Sequence, residues 1–462
     1  MTALDQSAKP TRVRYMIIGL LFVLTTINYA DRATMSIAGT AVQHDLGISS
    51  ISLGYIFSAF GWAYVIGQIP GGALLDRFGS KKVYLGSILA WSLCTFSQGF
   101  ASWMAPASAV IALFILRFML GIAESPSFPA NARIVAAWFP DRERGTATAI
   151  FNSAQYAALI FFAPLMGWVT ERYSWHYVFF IMGTLGVLAG LSFYKIVHAP
   201  HSHPRINKQE FDYLTEGGAL TQLDKKGGSD TRVKASWFVI RQLLTNRMLC
   251  GIYIGQYCIT ALTYFFATWF PIYLVKERGM SITEAGFGAA APAICGVAGG
   301  ILGGILSDRL IKRGNSVSVS RKTPFVIGML LSVAVLLCNF TESETLVLVF
   351  MALAFFGKGL AALGWAIIAD AAPRQVTGLS GGIFNAIGNI AGIVTPIGIG
   401  YIVQKTGSFD LALVFVAAHS VLAMFSYLVI VGPIRRFTLR LPDGSIARAT
   451  TPSAASPRTV HA

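Results

Sequence analysis

Charged residues are scarce in this chain: Asp, Glu, Lys and Arg make up 12% of its 462 residues. Soluble domains carry about 25% charged residues, so this composition excludes a soluble globular protein. Acidic residues are the scarcer kind, with 21 Asp and Glu against 36 Lys and Arg, which gives a formal net charge of +15. Such an excess of positive charge is also typical of nucleic-acid-binding proteins, but the placement of the charges along the chain argues against that class.

Cysteine is rare as well, with five in the chain, all within apolar stretches. An odd number without ligand spacing argues against a disulfide framework and against a metal site. The phosphate-binding pattern GxxxxGK[ST] is missing, which argues against direct use of ATP. We therefore expect neither a metal nor another cofactor.

What the chain has in abundance is long apolar stretches. A helix needs about 20 apolar residues to cross a bilayer, and twelve stretches of roughly that length recur along the sequence. The sequence predicts an all-α integral membrane protein with spans near residues 16–38, 53–75, 83–100, 107–131, 145–168, 176–196, 248–274, 285–306, 324–341, 346–369, 379–403 and 410–431.

The basic residues are concentrated in alternate loops between these stretches, and the remaining loops hold mostly Asp and Glu. Because basic loops stay on the cytoplasmic side of a membrane, both termini are predicted to be cytoplasmic. The excess positive charge then reflects membrane topology, and the lipid bilayer is the expected partner rather than nucleic acid. For a bacterial chain this means the inner membrane.

The two halves of the chain resemble each other. GGALLDR at 71–77 recurs as GGILSDR at 303–309, and IFN at 150–152 recurs at 383–385, so both motifs are shifted by half the length of the chain. Parallel repeats of this kind are typical of transporters that rock one half against the other around a central site. We predict a cytoplasmic tail (1–14), a six-helix bundle (15–196), a cytoplasmic linker (197–246), a second six-helix bundle (247–433) and a cytoplasmic tail (434–462).

Five charged residues lie well inside predicted spans, away from the span ends, where each costs roughly 2.5–3.5 kcal/mol. They are Asp31 and Arg32 in the first span, Arg117 and Glu124 in the fourth, and Lys358 in the tenth. Structural pairing among them is one explanation. Their sum is +1, however, so a pocket built from them lacks an anion, and we predict an anionic small-molecule substrate.

Neutral polar side chains accompany these charges at helical spacing, as expected for a solute with many hydroxyl groups. Trp365 follows Lys358 by seven residues and is predicted to share its helix face. The polar candidates are Tyr64, Asn152, Gln155, Tyr253, Tyr257, Thr260, Tyr264, Asn385 and Asn389.

The stretch Gly72-x-x-x-Asp76-Arg77-x-Gly79-x-Lys81-Lys82 resembles the signature of the major facilitator superfamily between its second and third helices. The resemblance implies the fold of that family, with two six-helix bundles. It also implies a gating role for Asp76, Arg77, Lys81 and Lys82 rather than contact with substrate.

NYADRA, GIAESPSFPANARIVAAWFP and LSGGIFNAIGNIAGIVTP resemble the anion:cation symporter branch of that superfamily, and within it the bacterial D-glucarate/D-galactarate transporters. The resemblance implies import of a sugar-acid dianion with protons and no enzymatic activity. It implies proton coupling by Asp31 and Glu124, and a substrate site lined by Arg32, Arg117, Tyr64, Gln155 and Asn385. To these the charge and spacing arguments add Tyr257, Lys358 and Trp365.

Several alternatives remain open at this stage. The same fold suits a symporter for another sugar acid, such as galactonate or a hexuronate, and less well a proton-antiporting exporter or a non-transporting membrane sensor. Two short patterns are set aside: Gly378-Leu-Ser380-Gly-Gly382, which matches a hydrolase motif but opens an apolar helix, and the histidines 198, 201 and 203, interpreted as part of a solvated loop. We expect a monomer.

Overall fold

A computed structural model describes residues 10–221, 237–373 and 376–439. Within these ranges the chain is helical, with no β-strand. Twelve long helical segments run through it: α1 (Val13–Ile37), α2 (Ser50–Phe78), α3 (Ser80–Gln98), α4 (Pro106–Trp138), α5 (Arg142–Arg172), α6 (Trp175–Ile196), α7 (Arg247–Arg278), α8 (Ile282–Lys312), α9 (Val317–Phe340), α10 (Glu344–Ala371), α11 (Leu379–Thr406) and α12 (Asp410–Ile430).

The described part of the chain contains 11 helices long and apolar enough to cross a membrane. The remaining long segment, α3, begins with Lys81 and Lys82 and carries serines along its length, which makes it less apolar. Shorter helices at Gly39–Leu46, Lys208–Glu216 and Trp237–Thr245 connect or flank the long ones. The all-α membrane fold with twelve spans agrees with the prediction.

Five of the long segments are interrupted, namely α4, α5, α7, α10 and α11, the last of these at Ile390. The helix of α4 breaks at Ser125 and Pro126, directly after Glu124, and that of α10 breaks at 361–363, shortly after Lys358. Single π-helical turns interrupt α5 at Ala158–Phe162 and α7 at Phe265–Trp269. Such interruptions are frequent at functional sites because they change the direction of side chains.

The charged residues between the long helices distinguish a basic end and an acidic end of the molecule. The basic end holds the starts of α1, α3 and α5 and the linker helix Lys208–Glu216, and the acidic end holds the starts of α2, α4 and α6. At the basic end Glu210 is fully buried and binds the start of α1, because its carboxylate accepts from the backbone N–H of Val13 at 3.0 Å and of Arg14 at 3.2 Å. The linker helix is thereby attached to the first bundle.

The two halves meet along two seams, α2 against α11 and α5 against α8. At the first seam, a Cβ on Gly54 would lie 2.7 Å from the carbonyl oxygen of Pro396; at the second, a Cβ on Gly286 would lie 2.7 Å from that of Ala163. Only glycine permits such close backbone approach. The same half-chain shift that relates the sequence motifs relates these two pairs, so the repeat extends to the contacts between the halves.

Two hydrogen bonds across the seams at the acidic end are related in the same way. Gln404 Oε1 accepts from the N–H of Ser50 at the start of α2, at 3.1 Å. Glu171 Oε2 accepts from the N–H of Thr283 at the start of α8, at 2.9 Å. The two bonds are formed by residues that are related by the half-chain shift. In each bond, a side chain at the end of one helix caps the first turn of a helix in the other half. These two caps join the two halves at the acidic end.

Replacing Glu171 by Ala is expected to weaken this contact between the halves. Because this hydrogen bond is exposed to solvent, it contributes about 0.5–1.5 kcal/mol, so the population in which the halves are separated at the acidic end should rise roughly two- to tenfold. Spin labels at positions 173 and 405, in a background without the native cysteines, would report this as a longer distance. Glu342→Ala, which removes an exposed carboxylate away from the seams, should leave the distances unchanged. Identical distance distributions in both variants would show that the Glu171 cap does not hold the halves together.

Candidate substrate and proton site

A buried ion pair joins α1 and α4 inside the first bundle. Arg32 Nε donates to Glu124 Oε2 at 2.7 Å, and Arg32 Nη2 donates to Asn28 Oδ1 at 3.2 Å. The Glu124 side chain is fully buried, whereas that of Arg32 is 18% exposed. Arg32 therefore lies between the Glu124 carboxylate and the space outside the first bundle.

Three aromatic rings surround the Arg32 guanidinium. Its central carbon lies 4.7 Å from the ring centres of Tyr29 and Phe60 and 5.0 Å from that of Tyr64. Cation–π contacts of this kind stabilise a desolvated cation. The structure thus brings the predicted residue Tyr64 against Arg32, and it adds Tyr29 and Phe60, which the sequence argument missed.

Asp31 and Arg117 complete the charged cluster of the first bundle. Asp31 is fully buried, and neither carboxylate oxygen has a hydrogen-bond partner among the described residues. Arg117 is 2% exposed and donates from Nη2 to the carbonyl of Arg32 at 3.5 Å, while its Nε and Nη1 have no partner in the same ranges. Buried polar groups are normally paired, so these two side chains have unused capacity to bind a proton or an anion.

Lys358 is the cation of the second bundle, and it is 5% exposed. Its Nζ lies 4.9 Å from the ring centre of Phe355 and 5.9 Å from that of Tyr156 on α5, in the other half. No carboxylate of the described residues forms an ion pair with it. The alternative that Lys358 neutralises Asp31 or Glu124 finds no support in these contacts.

Trp365 does not share the helix face of Lys358, because α10 is interrupted between the two residues. The helix ends at Leu360, and a second helix begins at Gly364. The Trp365 ring packs edge-on against Phe384 of α11 at 5.3 Å and is 58% exposed. The expectation of a shared face was wrong, since it assumed an unbroken helix. A role for Trp365 in binding stays a prediction.

Polar groups of α7 and α11 meet opposite the charged cluster. Tyr264 donates to Asn389 Oδ1 at 3.4 Å, and Asn389 donates to Asn385 Oδ1 at 3.2 Å. Tyr264 also lies close enough to Arg32 and Tyr64 to interact with them electrostatically. The predicted residue Asn385 thus belongs to a polar network that faces the first bundle.

The other predicted polar residues have different surroundings. Gln155 is half-buried and bonds to the carbonyl of Asn152 on its own helix. Tyr257 packs against His419 of α12 at 5.6 Å. Gln256, which the sequence argument passed over, packs between Gly364 and Gly388 and donates to Thr260 at 3.3 Å. Its spacing of four from Thr260 and of eight from Tyr264 is the signal that would have identified it.

The predicted gating residues lie at the basic end. Arg77 is exposed beside the Phe78 ring, Lys81 lies 5.2 Å from the ring centre of Tyr194, and Lys82 is exposed. The side chain of Asp76 lies outside the described part of the structure. In the second half, the repeat-related Asp308 pairs with Arg321 at 3.7 Å, and Arg321 also pairs with Asp370 at 3.0 Å, which joins the basic ends of α8, α9 and α10.

The patterns that we set aside have structural explanations. Ser380 is fully buried within a helix, so it cannot serve as an exposed nucleophile. His203 is not solvated as expected: it is 6% exposed, packs on Trp138 and accepts at Nδ1 from the N–H of Arg205 at 3.1 Å. Burial lowers the pKa of His203, and its Nε2 then donates to the carbonyl of Ile196, as in a neutral imidazole.

Two repeat-related six-helix bundles with buried charges on their membrane-spanning helices are the architecture of a membrane transporter of the alternating-access class. The chain belongs to the Major Facilitator Superfamily, whose family model matches residues 21–320. It is not an enzyme.

Curated relatives match nearly the whole chain. The probable galactarate/D-glucarate transporter GudP of Escherichia coli (strain K12) is 56% identical over 448 residues, which cover 95% of this chain and 99% of the relative. Its Bacillus subtilis (strain 168) namesake is 57% identical over 444 residues, covering 95% and 97%. The D-galactonate transporter of Escherichia coli O6:H1 is 38% identical over 433 residues, covering 93% and 98%.

Solved structures share the fold. A bacterial homolog of the human lysosomal transporter Spinster, in an inward-facing and occupied conformation, superposes with a TM-score of 0.71 at 16% identity, covering 92% of this chain and 98% of that one. A D-xylose-proton symporter superposes with a TM-score of 0.68 at 14% identity, covering 91% and 98%.

Proposed function

We propose that this protein imports an aldarate dianion, D-glucarate or D-galactarate, together with protons. The observation that carries the proposal is that both halves hold buried cations: Lys358, which has no carboxylate partner among the described residues, in one half, and Arg32 and Arg117 in the other. An aldarate has a carboxylate at each end, and these cations supply an anchor for each. The names of the relatives that match the chain over nearly its whole length support the same substrate class.

The ion pair between Arg32 and Glu124 supplies a coupling mechanism. A substrate carboxylate competes with Glu124 for the Arg32 guanidinium, which is the only one of the two partners that is partly exposed. Once Arg32 turns to the substrate, Glu124 is a buried charge without its partner, and such a charge is strongly unfavourable. A proton on Glu124 removes that cost, so substrate and proton bind together. Asp31, which has no partner among the described residues, is the second proton-binding carboxylate of the proposal.

The placement in the membrane follows from the charge pattern. The basic end is cytoplasmic and the acidic end periplasmic by the positive-inside rule, so both termini lie in the cytoplasm and the protein resides in the bacterial inner membrane. The caps at Glu171 and Gln404 then close the periplasmic side. Each chain holds a complete pair of bundles, which supports a functional monomer.

Radiolabelled glucarate uptake into proteoliposomes tests this function. An inward-directed proton gradient should drive accumulation, and its collapse should abolish accumulation while exchange of labelled for unlabelled glucarate continues. An exporter would accumulate glucarate only under the opposite gradient, and a sensor would take up none. Galactonate should be included as a competitor, since the relative at 38% identity is a D-galactonate transporter.

A further inference from the structure

A line of buried polar side chains runs from Glu124 toward the basic end, inside the first bundle. The Asn28 amide lies beside the Glu124 carboxylate, and Thr25 precedes Asn28 by three residues on α1, one helical turn closer to the cytoplasm. Asn131 of α4 donates from Nδ2 to Thr25 Oγ1 at 3.0 Å. The hydroxyl of Tyr84 on α3 lies beside both Asn131 and Thr25.

These side chains are as buried as the apolar core. Tyr84 is fully buried, Asn28 and Asn131 are 1% exposed, and Thr25 is 2% exposed. Ser127, three residues after Glu124 at the start of the second part of α4, is 2% exposed, and its hydroxyl has no partner among the described residues. Buried polar groups that lack a protein partner are the usual sites of internal water.

A cavity opens at the cytoplasmic end of this line. It is small, with a volume of about 30 Å³, and is lined by Lys81, which is one turn from Tyr84, and by Ile134, which is one turn from Asn131. His198 of the linker also lines it, and its Nδ1 lies 3.3 Å from the carbonyl of Ile196.

Toward the second bundle, Glu124 has no comparable polar path among the described residues. The Glu124 side chain is fully buried, and Arg32 with its three aromatic neighbours covers it on the side of the second bundle. Charged and titratable groups face Glu124 from every neighbouring helix: Asp31 and Arg32 on α1, Tyr64 on α2, Cys94 on α3, Arg117 on α4 and Tyr264 on α7.

We propose that the transported proton leaves Glu124 for the cytoplasm through this polar line, by way of Asn28, Thr25, Asn131 and Tyr84, and not through the substrate cavity. After substrate release Arg32 returns to Glu124, the carboxylic acid gives its proton to water along the line, and the proton reaches the cytoplasm at the cavity that Lys81 and His198 line. The carboxylate and Arg32 are then again an ion pair, so charge is balanced. The proposal rests on the proposed proton coupling at Glu124.

Thr25→Val and Tyr84→Phe, alone and together, test the route because each removes a hydroxyl with little change in shape. Proton-driven net uptake of glucarate into proteoliposomes should fall about tenfold or more in the double variant, since losing a proton-transfer group typically costs about 10²–10⁴-fold. Exchange of labelled for unlabelled glucarate needs no deprotonation and should stay within about twofold of the wild type, on the same argument. Thr95→Val is the matched control: Thr95 is fully buried on α3, three turns from Tyr84 toward the periplasm.

Two outcomes would overturn the route. Unchanged net uptake in the double variant would mean that the proton leaves by another path, and an equal fall in uptake and exchange would assign Thr25 and Tyr84 a structural role only. Glu124→Gln measured in parallel separates this inference from the function on which it rests. If that variant still accumulates glucarate against its gradient, proton coupling at Glu124 has failed; if it does not, only the route is in question.

Discussion

Replacing Lys358 by Gln is expected to lower the affinity for glucarate by about 30- to 5,000-fold. Losing the partner of a desolvated carboxylate costs about 2–5 kcal/mol, and each 1.4 kcal/mol is a factor of about ten in affinity. The loss should be large because Lys358 is buried and, within the described chain, has no carboxylate of its own, so its charge is available to the substrate. Competition binding of labelled glucarate to purified protein measures the change.

The same variant should bind galactonate, which has one carboxylate, with a much smaller penalty. This comparison is made within one protein, so a general loss of folding would affect both acids equally. Lys276→Gln, which removes an exposed lysine at the end of α7, serves as a control for net charge and should alter neither affinity. Equal losses for both acids in Lys358→Gln would mean that Lys358 binds no second carboxylate.

Glu124→Gln is expected to abolish accumulation of glucarate against a gradient while exchange persists. Glutamine has the shape and hydrogen-bonding capacity of a protonated Glu124, so Arg32 is permanently released to the substrate and no proton is gained or lost. Asp31→Asn should likewise abolish accumulation, because it also removes a buried carboxylate from the cluster. Parallel measurement of accumulation and exchange in proteoliposomes distinguishes coupling from binding.

The pH dependence of binding supplies a second readout for Glu124. In the wild type, glucarate binding should weaken as the pH rises, because the carboxylate then competes with the substrate for Arg32. In Glu124→Gln that competition is absent, so binding should depend less on pH. A pair of variants that both accumulate glucarate as the wild type does would remove Asp31 and Glu124 from the coupling mechanism.

The membrane fold could be predicted from the sequence because it depends on properties that are local in the chain. Apolar length identified the spans, and motifs recurring half a chain apart identified the repeat. The same shift relates the caps at Glu171 and Gln404, but no residue in either pair is unusual by itself. The caps could be recognised only from the structure, in which α5 packs against α8 and α2 packs against α11.

The sequence predicted which charged residues form the site, but it did not predict which of them pair with each other. Intramembrane charge identified Asp31, Arg32, Arg117, Glu124 and Lys358, yet spacing along one helix did not indicate that Arg32 binds Glu124 on another. The break in α10 could not be predicted from spacing either, which is why Trp365 was placed on the wrong face. His203 was assigned to a solvated loop because its cover, the Trp138 ring, comes from a distant part of the chain.

The central claim is that movement of an aldarate dianion is tied to movement of protons through Glu124. The most direct test adds glucarate to proteoliposomes in weakly buffered medium without an imposed gradient and records the external pH. We predict that the medium becomes alkaline as glucarate enters, and that Glu124→Gln gives no such change although it still exchanges glucarate. Glucarate entry by the wild-type protein without any accompanying change in pH would contradict the account.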